Sequence, residues 1–212
     1  MEPAVAAACR AAAAWFAEYA AAGGGGSGAL VEASPAFGDA RRLFRVLRAV
    51  SCFGWLEAIK QAPGARDVIK SDCVWQWDDV LSTTAADVAW AEAAHDALLA
   101  SRDAFFAEWD LLASPAAMMD PFPVEKRWPT ECCGEAFTNY IDWLRPAAAV
   151  SLLGGPAICV PCGFTVSGLP VGLSLAGPPG AERRVLAAAA AYEAAHGWAA
   201  AVPRDPPPPL SG

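Results

Sequence analysis

The stretch GGPAICVPCGFTVSGLPVGLSLAG, Gly154–Gly177, decides the fold. It holds two apolar runs, Ala157–Pro161 and Leu169–Ala176, separated by a link that contains Gly163 and Gly168. Ile158, Val160, Val171, Leu173 and Leu175 suit a pleated, buried surface. Ser167-Gly168 is a turn signal, because glycine takes positive φ at no steric cost. The stretch therefore predicts two strands joined by a tight connection and central to a sheet. Pro156, Pro161 and Pro170 have no N–H to donate, so they belong at strand ends or on an edge. A lone hairpin is marginal in water, so the rest of the chain must supply further strands and helices.

Upstream, Ala85–Trp109 is the strongest helix signal. Thr84 and Asp87 have capping-box spacing, and Val88, Ala91, Ala94, Leu98, Phe105 and Trp109 trace one apolar stripe. Asp110–Ala113 reads as a short buried strand that Ser114-Pro115 ends, and the Pro-rich residues 115–130 as an ordered loop of the kind that lines pockets. A helix is expected from Glu131 to Ser151, with Pro146 kinking it, and a last one over Ala181–Gly197 with Val185, Leu186, Ala189 and Tyr192 inward. Toward the N-terminus, residues 3–22 predict an Ala-rich helix with Val5, Cys9, Ala12, Phe16 and Tyr19 on one side. Gly23–Gly28 reads as a flexible connector, Leu30-Val31 as a short strand, and Asp39–Ile59 as a helix weakened at Gly54. Residues 65–83 give no clear period. Helices alternating with buried strands predict an α/β fold, with α+β as the alternative, over a single domain of residues 1–205 and a Pro-rich tail, 206–212.

Composition narrows the functional classes. The chain has 212 residues, 55% hydrophobic and 18% charged, enough for a substantial core. A net charge of −8 argues against a nucleic-acid partner. The one basic cluster, Arg41, Arg42, Arg45 and Arg48, reads as a solvated helix face opposite Leu43, Val46 and Val50. No stretch reads as membrane-spanning, and Met1-Glu2-Pro3, with no basic run before an apolar core, argues against a secretory signal. Seven cysteines, an odd number in a chain of this size, favour a reducing compartment and a cytoplasmic location.

Little in the chain has the spacing that chemistry needs. Cys159-Val-Pro-Cys162 has redox or half-zinc-site spacing, but inside a strand positions three apart face opposite ways. These cysteines read as buried apolar residues. Cys132-Cys133 are adjacent, and only His95 and His196 could assist, so no metal or cofactor is expected. Lys60, Lys70 and Lys126 read as solvated charges, Ser27 as part of the Gly-rich connector, and no Gly-x-Ser-x-Gly elbow occurs.

Taken together, several segments resemble the amidase signature family. Gly155-Pro-Ala-Ile-Cys-Val-Pro-Cys-Gly-Phe-Thr165 and Gly168-Leu-Pro-Val-Gly-Leu173 are similar to its C-terminal core. Thr84–Trp109, Asp110-Leu-Leu-Ala-Ser-Pro115, Pro121-Phe-Pro-Val124 and Tyr140-Ile-Asp-Trp143 precede them in the family's order. The resemblance implies part of a mixed sheet wrapped by helices, in the second half of an amide hydrolase. Such enzymes use a Lys, a bridging Ser and a nucleophilic Ser near a Gly-Gly-Ser-Ser motif, and no position here matches those three, so no catalytic residue is carried over. Ser174 departs from the family's common Gln. The implied acyl-pocket wall is Phe122, Tyr140, Ile141, Asp142 and Trp143. A small-molecule amide would be the substrate only with an N-terminal half present, and an exposed sheet edge would favour self-association. The alternatives are a non-catalytic module that kept this scaffold and, more remotely, a thiol redox or metal protein built on Cys159 and Cys162.

Overall fold

The computed structural model describes residues 1–24, 28–60 and 62–197. The opening stretch forms the hairpin expected of it: β4 (Ala157–Phe164) and β5 (Pro170–Ala176) pair antiparallel. Gly168, at φ 73°, makes the turn, and Thr165 N–H donates to Leu169 O across it. β1 (Leu112–Pro115) pairs with the other side of β5, giving the order β1-β5-β4. All pairings among the described strands are antiparallel, so no parallel member of a mixed sheet lies among them. β1 begins later than Asp110 and includes Ser114 and Pro115. Pro115 is tolerated because the register places it in a pair that exchanges no hydrogen bonds with β5.

One face of this sheet is covered by α1 (Pro3–Tyr19) and α7 (Glu182–His196). Val160, Leu173 and Leu175 meet Val5, Cys9 and Tyr192 there, all buried. Tyr192 stacks on Phe16 at 5.1 Å and meets Trp15 edge-on at 5.2 Å. Glu2 N–H donates to Met118 O, which fixes where α1 starts. The α1 stripe is buried at Val5, Cys9 and Ala12, while Tyr19 emerges into solvent. A π-turn, Ala20–Gly24, follows α1 and contains Gly23 at φ 95°. The rest of the expected connector, residues 25–27, and the Pro-rich tail lie outside the described residues.

The other face meets α5 (Ala85–Glu108), α6 (Arg145–Leu152) and α2 (Ala40–Lys60) through Leu112 and Ala176. The Thr84–Asp87 capping box forms in full and starts α5. The Thr84 hydroxyl, then its backbone N–H and then Arg42 hold the Asp87 carboxyl down at about 2. Thr84→Ala is expected to cost about 1 kcal/mol of stability, read as a lowered urea midpoint with an unchanged slope. Asp39 caps α2 by accepting from Arg42 N–H at 3.0 Å, and α2 runs unbroken through Gly54.

Several expectations are corrected. Residues 65–83 fold as α3 (Ala65–Val68) and α4 (Ser71–Ser82), which pack Ala65, Trp77 and Val80 against α2. No helix spans 131–151. A hairpin of β2 (Glu131–Cys132) and β3 (Glu135–Ala136) turns at Cys133 and Gly134, both at positive φ. A 3-10 turn, Asp142–Leu144, then leads into α6, where Pro146 sits in the first turn and kinks nothing. Leu30 and Val31 join no described strand and stand half exposed. Leu186 and Val50 face solvent, and Ala49 fills the inward place instead. No described helix is long and apolar enough to cross a membrane.

Candidate functional site

The expected pocket wall does not assemble as one surface. Phe122 and Trp143 meet edge-on at 5.4 Å, bringing the Pro-rich loop against the 3-10 turn. They line a cavity of about 340 Å³ with Met119, Asp120, Pro170 and Val171. Ile141 and Asp142 line a different cavity, of about 410 Å³, between α2 and the 139–149 segment. Tyr140 points to neither. Its ring meets Trp75 edge-on at 5.4 Å, and its hydroxyl accepts from Arg48 Nη2 at 2.6 Å. The short turn 139–143 thus sends Tyr140 toward α4, Ile141 and Asp142 toward α2, and Trp143 toward the Pro-rich loop.

Asp142 is an anchor of the fold. It is 2% exposed and accepts from Thr138 N–H at 2.7 Å and from Thr138 Oγ1 at 2.9 Å. Arg41 reaches it with both Nε at 2.8 Å and Nη2 at 2.5 Å. Burial pushes the Asp142 carboxyl up, but the Thr138 backbone bond and Arg41 outweigh it and hold the group below the usual carboxylate range.

The basic face of α2 is about half exposed, as expected of a solvated face, but its arginines are also tied to partners on other elements. Arg45 Nε donates to buried Asp79 at 2.6 Å, and that bond raises the Arg45 pKa. Arg48 donates to buried Gln76 at 2.8 Å. Arg42 pairs with Asp87 at 3.0 Å and lies 3.9 Å over the Trp90 ring. One row of guanidinium groups thus joins α2 to α4, α5 and the 138–142 turn. The i, i+4, i+7 spacing of Arg41, Arg45 and Arg48 was a visible signal, but their acids lie 34 and 101 residues away.

On the Phe122–Trp143 cavity, Trp143 Nε1 and Asp120 Oδ1 are buried polar atoms with no hydrogen-bond partner. Asp120 Oδ2 accepts from Thr165 at 3.1 Å. On the sheet, Ser114, Ser174 and Cys159 share one register row. Ser114 Oγ is buried without a partner, Ser174 is buried, and Cys159, expected inside, is exposed. Cys162 does point inward, as strand alternation requires. Among the described residues the Lys70 and Lys126 side chains are exposed and hydrogen-bond to no serine, and no group of His, Cys, Asp and Glu could hold a metal.

With this geometry in place, known proteins supply the affiliation. The Amidase family model matches residues 68–186, more than half of the chain. The chain belongs to the amidase family. Among its relatives, an acylamidase of Rhodococcus erythropolis is 34% identical over 123 residues, covering 58% of this chain and 26% of that protein. A fatty acid amide hydrolase of Arabidopsis thaliana is 52% identical over 52 residues, covering 24% of this chain and 9% of that protein. The fold matches the crystal structure of a bacterial aryl acylamidase of the amidase signature family with a TM-score of 0.79 at 20% identity. That match takes in 94% of this chain and 42% of the other. The chain therefore covers less than half the length of these relatives.

Proposed function

We propose that this chain is the C-terminal portion of an amide hydrolase of the amidase signature type. It cleaves carbon–nitrogen bonds of small amides only when joined by the portion that carries Lys, bridging Ser and nucleophilic Ser. The observation that carries this reading is the coverage: nearly the whole chain matches the fold of an aryl acylamidase, and matches only 42% of it. In the complete enzyme the Phe122–Trp143 cavity forms an apolar wall for the acyl group, with Tyr140 and Asp142 bracing the turn that carries Trp143, while Ile141 lines the separate cavity beside α2. The unpaired Trp143 Nε1 and Asp120 Oδ1 fit a wall that is finished by contacts outside the described residues, because buried polar atoms in folded proteins are normally satisfied.

The sheet edges support the same reading. The β1–β5 register turns the backbone N–H and C=O of Ala113 away from β5, toward a groove of about 680 Å³ between Leu111–Pro115 and the 29–34 segment. Among the described strands, none pairs with the outer edge of β4. Unpaired edges of this kind pair with another chain or with a missing strand. Self-association of the isolated chain through them is part of the proposal.

The purified chain is expected to hydrolyse none of a panel of aryl amides. Mixing it with a separately expressed acylamidase segment that carries the Lys and Gly-Gly-Ser-Ser motifs is expected to restore turnover. Failure to restore it, with a stable complex formed, would favour a non-catalytic module that kept the scaffold. Turnover by the chain alone that survives Ser27→Ala would overturn the placement of the catalytic groups.

A further inference from the structure

A further close pair of thiols lies apart from both pairs that the sequence displays. Cys9, on α1, and Cys162, on β4, are 153 residues apart, and their Sγ atoms lie 3.9 Å from each other in the core. Both are free thiols. Cys162 is the extra residue of a β-bulge, since the ladder passes from Pro161↔Gly172 to Gly163↔Val171 and leaves it without a cross-strand partner. Gly163, at φ 140°, completes the bulge. A residue outside the ladder can shift without breaking a strand pairing. Cys9 also lines the groove of about 680 Å³ beside β1, so a small oxidant has a route to it from solvent.

We propose that Cys9 and Cys162 form an oxidation site that closes to a disulfide, clamping the N-terminal helix to the bulged strand. The closure must bring the sulfurs from 3.9 Å to about 2 Å, a movement that one rotamer adjustment and the bulge supply. The rival pairs are poorer. Cys132 and Cys133 have sulfurs 3.7 Å apart, but adjacent Cα atoms lie about 3.8 Å apart, shorter than the roughly 4.4 Å at which disulfides begin. Cys159 and Cys162 leave opposite faces of β4.

The order of events follows from the contact. The hydrogen bond from Cys162 holds the Cys9 thiol below its ordinary range against the opposing effect of burial, while the same contact and burial push Cys162 up. Cys9 is therefore the first nucleophile. With hydrogen peroxide as oxidant, its thiolate attacks one oxygen, the O–O bond breaks, and Cys9 becomes a sulfenic acid while the leaving hydroxide takes a proton to become water. The Cys162 sulfur then attacks the Cys9 sulfur. The S–S bond forms as the S–O bond breaks, and the Cys162 proton leaves with that hydroxyl as a second water. Two thiols lose two hydrogens and two electrons, and peroxide is reduced to two waters.

The test uses the full chain, reduced and then titrated with hydrogen peroxide, denatured, alkylated with N-ethylmaleimide and mapped by mass spectrometry. Cys9 and Cys162 are expected to lose alkylation together, to appear in one linked peptide, and to recover fully with dithiothreitol. In Cys162→Ser, Cys9 is expected to be trapped by dimedone as the sulfenic acid; in Cys9→Ser, Cys162 stays alkylable. Exposed Cys133 and Cys159 serve as internal standards. If both are oxidised while Cys9 and Cys162 remain free, or if Cys162 links to Cys159 instead, the proposal is wrong. The wild-type map needs no variant to fold, and its outcome is independent of whether the chain takes part in amide hydrolysis.

Discussion

Asp142→Ala is expected to lower the stability of this chain by about 3 kcal/mol, the low end of what breaking a buried ion pair costs. Asp142 is 1% exposed at its side chain, whereas Arg41 is 45% exposed and can return to water, which keeps the loss from being larger. Most of the cost falls on the Thr138 N–H, whose acceptor at 2.7 Å disappears. Thermal unfolding is expected to move down by roughly 6–12 °C for a chain of this size. The turn that places Tyr140 and Trp143 on their separate surfaces would loosen with it. Amide exchange at Thr138 and at Asp142, whose own N–H donates to Asn139 O at 3.3 Å, reads this locally.

The same residue fixes a pH dependence. Its folded pKa lies below the unfolded value of about 3.9. Its contribution is therefore complete above that pH and is lost as the pH falls through the folded pKa. Wild-type chain should lose stability on acidification below about pH 4, and Asp142→Asn should remove that share of the loss. Parallel acid profiles of the two chains would contradict this assignment.

The second large effect is expected at a glycine. Gly155→Ala should cost about 3 kcal/mol, the upper range for overpacking, because the new Cβ would lie 2.2 Å from Gly177 O. That oxygen is backbone and cannot rotate away. Gly155 lies where the entry to β4 crosses the exit from β5, beside the hydrogen bond from Gly177 N–H to Pro156 O at 3.0 Å. The neighbouring Gly154→Ala meets only the Arg102 side chain at 3.7 Å, so its cost is confined to positive φ, about 1–2 kcal/mol. Urea unfolding of the two variants side by side tests the contrast. Equal midpoints would show that the close backbone approach is not what holds the hairpin base.

These two residues show how far the sequence could be read. The dipeptide Gly154-Gly155 marks a turn before β4, but the letters do not tell which glycine is needed for conformation and which for space. Asp142 next to Trp143 suggests a pocket, and its partner Arg41 suggests a solvated face. Neither reading can see the other residue, 101 positions away. The hairpin 131–136 is hidden for a local reason. Phe137, Tyr140, Ile141 and Leu144 have helical spacing, and that period outweighs the Cys133-Gly134 pair, whose positive φ ends any helix there.

By itself the sequence determined what depends on neighbours in the chain: the β4–β5 hairpin, the capped helix α5, the short strand before the Pro-rich loop, and the motif order that marks the amidase family. Period, turn chemistry and capping act over a few residues, so their causes lie within the window being read. Only the tertiary structure decided that the arginines of α2 are buried-acid partners, that the pocket residues divide between two cavities, and that Cys162 faces Cys9 and not Cys159. Each of these joins residues from distant segments, where burial changes the energetics of charge and thiol, and burial is a property of the packed layers alone.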